Sequence, residues 1–300
     1  MCNLQSKIIR SIGIVAAFGV IAASFTPAQS QSSVTPGDQP NRVVIEYVGP
    51  QNADLQGLYE ALKTHGVLEK IQKILSPLRL PEPLKVRTME CGKVNAWYRR
   101  EDFVPTVSIC YELLKHILDS LPNDTTPEGI TAEDAKLGQV MWHTLHETGH
   151  AAFEIFDVPI FGKEEDAADN FATYVMLQFK EAPRLIKGAA WAWSEYMRDY
   201  KRNPVVRVRL AGFADNHGQP QERFYNLACL AFGSNPQQFA DFAQGGYLPE
   251  FRVERCTYEY RMMATAFKKE IAPHIDYERA KTVTEANWLP GPAPRPEPQK

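Results

Sequence analysis

The strongest constraint on the fold is a pair of histidines one helical turn apart. His146 and His150 enclose Glu-Thr-Gly in the string H-E-x-x-H, inside a segment from Ala132 to Phe156 with helical spacing of apolar residues. Thr131 and Asp134 precede the string and resemble a capping box at the start of this helix. Since residues four apart share one face of a helix, the two imidazoles can converge on one cation. The sequence therefore predicts a metal site on this helix.

The carboxylate of Glu147 lies beside the shared face of the two histidines. We expect it to face a water activated by the metal, and to act as the general base that takes the proton and passes it to a leaving amine. Zn²⁺ is the expected ion, because it accepts two histidines and a carboxylate and lowers the pKa of a water toward about 7.

A following acidic segment supplies candidates for the third protein ligand that a catalytic zinc needs. Glu165 is favoured, while Glu164 and Asp166 are alternatives that could simply complement the helix dipole. Asp169 follows Glu165 by four residues and therefore shares its helical face. We expect Asp169 to accept the free N–H of a ligand histidine, which fixes the tautomer of that ring.

Two further histidines are candidates for a role at this metal site. His143 is one turn before His146, so it could be a ligand, a support for a ligand or a core histidine, and the last two are favoured. His217 is the first candidate for a donor to the developing oxyanion, oriented by Asp215, whereas the alternative is a surface turn. Tyr111 is a weaker candidate for the same donor.

Strand and helix patterns predict an α+β fold of zincin-like type. Strands are expected at residues 42–48, 84–89, 94–98 and 106–111, and helical spacing across residues 53–75 is broken near Gly66. Later helices are expected at residues 132–156, 164–180, 184–200, 219–232 and 249–271. A small early sheet would thus pack on a mainly helical body that carries the H-E-x-x-H helix. The strand near Val107–Tyr111 is either an exposed edge for substrate or part of the core.

The first thirty residues predict export to the periplasm or the medium. Lys7 and Arg10 precede an apolar run from Ile12 to Phe25, and Ala28-Gln29-Ser30 then suits signal peptidase. The run is short for a membrane span, so an uncleaved anchor is the less favoured alternative and no stable span is expected after cleavage. The expected organisation is a signal peptide at 1–30, a flexible lead-in at 31–41, one domain at 42–288 and a Pro-rich disordered tail at 289–300.

Cysteine usage fits an oxidising compartment. Cleavage would leave Cys91, Cys110, Cys229 and Cys256, an even number. Local pairing is favoured, with Cys91 bonded to Cys110 and Cys229 bonded to Cys256, because both bonds close short loops. A four-cysteine zinc site would need close pairs such as C-x-x-C, and these cysteines are far apart in sequence.

The charge pattern argues against nucleic acid as a partner. The chain has 33 basic and 36 acidic residues, a net charge of −3, without a long basic block. Binding to phosphates requires a concentrated positive surface. A peptide or protein substrate is the expected partner.

Further short strings accompany the helix motif. They are Glu90-Cys91-Gly92, Cys110-Tyr111-Glu112, Gly162–Asp169, Asp215–Gly218 and Arg223–Asn226. Together they resemble a bacterial family of domains of unknown function described as metallopeptidases, of the gluzincin type, over roughly Val43 to His274. The resemblance implies a zinc site made by His146, His150 and Glu165. By the same resemblance Glu147 is the catalytic base.

The leading hypothesis is therefore an exported zinc peptidase. One alternative is a secreted binding or inhibitory protein with a structural zinc site closed by a fourth ligand, such as His143. Another is a hydrolase of a non-peptide amide, such as a cell-wall crosslink, because the metal chemistry would be identical.

Overall fold

The computed structural model describes residues 41–121, 126, 129–196, 216–289 and 291, which all belong to one compact unit. The predicted signal peptide at 1–30, the lead-in apart from Asn41, and the tail apart from Leu289 and Gly291 lie outside the described residues. Asp215 also lies outside them. Within the described ranges, no helix is both long enough and apolar enough to cross a membrane.

The early part of the chain forms a four-stranded sheet. Its strands are β1 (Val43–Tyr47), β2 (Leu84–Met89), β3 (Ala96–Glu101) and β4 (Val104–Cys110), arranged in the order β1-β2-β4-β3. The pairs β1–β2 and β2–β4 are parallel, and β3 runs antiparallel to β4. All of β4 after its first residue is buried, as is typical of a strand covered on both faces.

Of the two interpretations of the strand near Val107–Tyr111, the exposed edge is wrong and burial in the core is correct. Residues 104–110 pair with β2 on one side and with β3 on the other, so their backbone groups are already used by the sheet. The edge strands are β1 and β3, and β3 lies against the H-E-x-x-H helix.

Helices make up most of the remaining described chain, so the fold is α+β with an early sheet on a mainly helical body, as predicted. The helices are α1 (Ala53–Thr64), α2 (Val67–Leu75), α3 (Tyr111–Ser120), α4 (Ala132–Ile155), α5 (Glu164–Leu177), α6 (Ala182–Tyr196), α7 (Pro220–Ser234), α8 (Ala240–Gln244), α9 (Glu250–Glu270) and α10 (Tyr277–Glu285), with a 3₁₀ turn at Ala272–His274. Gly66 adopts a left-handed conformation, with φ of 58°, and separates α1 from α2.

The helix that carries the histidine pair begins at a reciprocal cap. The Thr131 hydroxyl accepts the backbone N–H of Asp134, and the Asp134 carboxylate accepts the backbone N–H of Thr131. Arg184 of α6 donates to the other oxygen of this buried carboxylate at 2.6 Å. The cap therefore fixes the start of α4 and also binds it to α6.

Two glycines let α4 and α6 approach each other at the level of their backbones. A Cβ atom on Gly138 would lie 2.7 Å from both the Ala189 nitrogen and the Leu185 oxygen. A Cβ atom on Gly188 would overlap the carbonyl group of Asp134. Because backbone atoms cannot move aside without shifting a helix, these positions require glycine.

Both described disulfide bonds join the same cysteine pairs that the sequence favours. Cys91–Cys110 connects the loop after β2 to the end of β4, and Cys229–Cys256 connects α7 to α9. The carboxylate of Glu112 accepts the backbone N–H groups of Cys91 and Gly92. The bond and the carboxylate together hold the short loop that leads into β3.

We predict that Gly138→Ala lowers the free energy of unfolding by about 1–3 kcal/mol, because the added methyl overpacks the contact between α4 and α6. Gly57→Ala is the matched control, since Gly57 is an exposed helical glycine with open space around its Cβ position. This control should gain about 0.5–1 kcal/mol from helix propensity. Urea unfolding measures both, and an unchanged midpoint in Gly138→Ala would contradict the close-contact argument.

Candidate metal centre

The rings of the two motif histidines on α4 lie with their Nε2 atoms close to each other. The Nε2 atoms of His146 and His150 are 3.2 Å apart. His146 is 2% exposed, and its ring stacks on Trp142 with the centroids 5.4 Å apart. The helical spacing of the motif therefore brings both rings to one point, as expected.

Helix α5 adds the carboxylate of Glu165 to this point. Its Oε2 atom is 3.0 Å from Nε2 of His146 and 3.4 Å from Nε2 of His150. Zinc bonds to nitrogen and oxygen are about 2.0–2.1 Å long, so ligand atoms at the corners of a tetrahedron are separated by about 3.3 Å. The three donor atoms thus have the chemistry and the separations of a zinc ligand set.

A third imidazole also reaches Glu165. His217, just before α7, places its Nε2 atom 2.9 Å from Oε2 of Glu165, and its side chain is about half exposed. His146, Glu165 and His217 offer donor atoms that all lie within 4.8 Å of one another. Two triads therefore share His146 and Glu165, one completed by His150 and the other by His217.

Carboxylates bind the far nitrogens of both motif histidines. Asp169 Oδ1 is 2.7 Å from Nδ1 of His146, which is the contact proposed from its spacing to Glu165. Glu164 Oε1 is 2.7 Å from Nδ1 of His150. With the Nδ1 proton of each ring held by a carboxylate, loss of the Nε2 proton would leave that nitrogen as an acceptor for a cation. Glu164 is thus a support for His150, a role that its position in an acidic helix start did not reveal.

Arg223 is a site residue that the sequence analysis did not single out. From α7 it binds Asp169 through two parallel contacts, Nε to Oδ2 at 2.9 Å and a terminal nitrogen to Oδ1 at 2.6 Å. Its guanidinium lies over the rings of Trp142 and Trp193, 4.5 and 4.8 Å from their centroids. Bidentate and stacked contacts together fix the guanidinium, and therefore the aspartate.

The electrostatics of the cluster favour positive charge at its centre. Although burial raises the pKa of Glu165, hydrogen bonds from His146, His150 and His217 lower it well below its usual range. Burial lowers the pKa of His150, but Glu165 and Glu164 raise it overall to about 9. The same carboxylates that retain protons on the imidazoles would attract a metal cation.

Glu147 lies in a pocket beside this cluster. Burial raises the pKa of its carboxyl above the ordinary value, and no hydrogen bond to it occurs among the described residues. The pocket has a volume of about 450 Å³ and is also lined by Val94, Ala96, Trp193 and His217. The carboxylate is thus available to a molecule that enters this pocket.

The other candidate residues lie elsewhere. His143 packs against Trp142 and Trp193 in the pocket wall, outside the donor cluster, and burial lowers its pKa to about 3. Tyr111 is fully buried and donates to the Val48 carbonyl at 2.7 Å, so the suggestion that it serves as an oxyanion donor is wrong. Asp166 lines a separate pocket with Lys163 and Glu222.

We predict that Arg223→Met weakens zinc binding about 10- to 100-fold, since a ligand histidine loses the fixed carboxylate behind it. A chelator competition titration measures this affinity. Arg252→Met is the matched control, because Arg252 is also partly buried and paired, with Glu259 and Asn226, but lies outside the donor cluster. Equal affinity in both variants would show that Arg223 does not act through Asp169.

A family model described as putative metallopeptidase matches residues 47–270 of the chain. This span contains His146, Glu147, His150, Glu165 and Arg223, with the disulfide-bonded cysteines on either side of them. Searches of curated proteins and of solved structures found no match. The chain therefore belongs to this family of putative metallopeptidases, a membership that implies a peptidase-type hydrolase with a bound metal ion.

Proposed function

We propose that the protein is an exported zinc peptidase that hydrolyses peptide bonds with Glu147 as the general base. The observation that carries this proposal is the convergence of His146, His150 and Glu165 at zinc-ligand separations, beside a buried carboxylate that opens into a pocket. Three protein ligands leave one coordination position for chemistry, which is the arrangement of catalytic zinc sites.

Zinc held by this ligand set would supply a Lewis acid for the scissile carbonyl and lower the pKa of a water. Glu147 then accepts the proton of that water on a carboxylate oxygen and delivers it to the leaving amine. Burial raises the pKa of this carboxyl, which makes Glu147 a stronger proton acceptor than an exposed glutamate.

Asp169 and Glu164 have no direct part in the proton transfer. They hold the Nδ1 protons of the two ligand histidines, and Arg223 holds Asp169. Their role in the proposal is to keep both Nε2 atoms aimed at one point before substrate arrives.

His217 is proposed to donate a hydrogen bond to the oxyanion that develops on the substrate. Its side chain is half exposed and lines the same pocket as Glu147, so it reaches the site from outside α4. Asp215, which lies outside the described residues, remains a proposed orienting group. The walls near Val94 and Ala96 lead into edge strand β3, which offers an extended peptide a partner for backbone hydrogen bonds.

The proposal of export rests on two features. The first thirty residues have the pattern of a signal peptide. The described residues also contain two disulfide bonds, and such bonds form and persist in oxidising compartments.

A closed structural zinc site is the second candidate function, and the contact of His217 with Glu165 is the observation that favours it. In that case His217 would be the fourth ligand. His143, the fourth ligand considered from the sequence, does not belong to the donor cluster among the described residues.

We predict that Glu147→Gln retains one zinc per chain and loses about 10²–10⁴-fold in kcat on an unfolded protein substrate, because the site keeps its ligands but loses its base. His150→Ala should lose both metal and activity. Elemental analysis and a cleavage assay measure the two properties. Glu133→Gln is the matched control, an exposed glutamate on the same helix, and full activity in Glu147→Gln would refute the assignment of the base.

We predict that His217→Ala retains zinc affinity but lowers kcat about 10²–10³-fold, as expected for loss of an oxyanion donor. His65→Ala, on an exposed position after α1, is the matched control. A chelator titration separates the two candidate functions. A large loss of zinc affinity in His217→Ala would identify His217 as a fourth ligand and would favour the closed site.

A further inference from the structure

A second and larger cavity lies on the side of α4 away from the pocket of Glu147. It has a volume of about 810 Å³ and is enclosed by the end of α2 together with α5, α9 and α10. Helix α4 contributes Leu145 and Thr148 to its wall. The volume is within the range of about 300–1,000 Å³ that small-molecule sites occupy.

The lining of this cavity is mainly apolar. Its lining includes the buried side chains of Leu75, Phe171, Phe179 and Val283. Tyr174 and Phe267 approach each other across the groove between α5 and α9, with their ring centroids 4.3 Å apart. Such a lining favours an apolar chain, because moving methylene groups out of water into apolar surroundings is favourable.

The charges around the cavity have one sign. Arg261, Lys268 and Lys281 belong to its lining, and no aspartate or glutamate does. Within the described ranges, neither Lys268 nor Lys281 forms an ion pair, and both are exposed. Basic side chains beside an apolar cavity complement a molecule that has an anionic head on an apolar chain.

We propose that this cavity binds a long-chain fatty carboxylate, with the alkyl chain along the apolar lining of the cavity and the carboxylate against Lys268 and Lys281. The site is distinct from the candidate metal centre, and the proposal does not depend on peptidase activity. A carboxylate suits these side chains because an ammonium group contacts it as a point charge without a fixed geometry.

Binding is measured with dansylated undecanoic acid, whose fluorescence rises in an apolar environment, and by competition with dodecanoate and dodecanol. Dodecanoate should displace the probe, and dodecanol should compete about tenfold more weakly, a difference of about 1.4 kcal/mol. Equal competition by the alcohol would overturn the assignment of an anionic head.

Two variants of the purified protein locate the site. Ala264→Phe places a ring in the cavity from α9 and should weaken probe binding at least about tenfold. The double reversal Lys268→Glu and Lys281→Glu changes only exposed side chains, so it tests the head position without disturbing the core, and should also weaken carboxylate binding about tenfold.

Lys269→Glu is the matched control, because this exposed lysine neighbours Lys268 but does not line the cavity. The Lys269→Glu variant should bind the probe with an affinity within about twofold of that of the wild-type protein, as expected for an exposed charge outside the site. Failure of dodecanoate to displace the probe, or unchanged binding in both Ala264→Phe and the double reversal, would overturn the proposal. Glu147→Gln should bind the probe with unchanged affinity. Loss of peptidase activity and loss of probe binding can therefore be distinguished.

Discussion

The buried contact between Arg223 and Asp169 determines the geometry of the candidate metal centre. Asp169 is 6% exposed, and a carboxylate in such surroundings requires a partner because its desolvation is costly. Arg223 supplies two hydrogen bonds from α7, while His146 supplies one from α4. Three helices are thus joined at a single carboxylate. The position of His146 follows from that junction, and the other donor atoms are arranged around it.

The sequence predicted the part of the site that follows from helical spacing. The two motif histidines, the cap at Thr131 and the approach of Asp169 to a histidine are all local or depend on residues one turn apart. The sequence also predicted the family and the α+β fold class. The role of Arg223 was not predicted, because it depends on how α7 packs against helices distant in sequence. The role of Glu164 was missed because the acidic start of α5 does not show which carboxylate reaches which ring. The sequence also left open whether β4 is an edge strand, and the sheet shows that β4 is interior while β1 and β3 are the edges.

The sequence strings around Cys91 and Cys110 have structural roles. Glu90 accepts the backbone N–H groups that precede α1, and Glu112 accepts those of Cys91 and Gly92. The Cys91–Cys110 bond closes the same loop, which continues to Val94 and Ala96 in the wall of the Glu147 pocket. These strings therefore shape one side of the pocket without contributing a reacting group. Their resemblance to a peptidase family carried correct information about the family, although their chemistry is that of a scaffold.

The pairing of Arg223 with Asp169 also has a consequence for the order in which the protein matures. Zinc fingers acquire their structure together with their ion, because nothing else balances their ligand groups. Here the guanidinium of Arg223 already neutralises the buried carboxylate of Asp169, and a hydrophobic core spans the sheet and the helices around it. The polypeptide can therefore fold and form its disulfide bonds before it binds a metal ion.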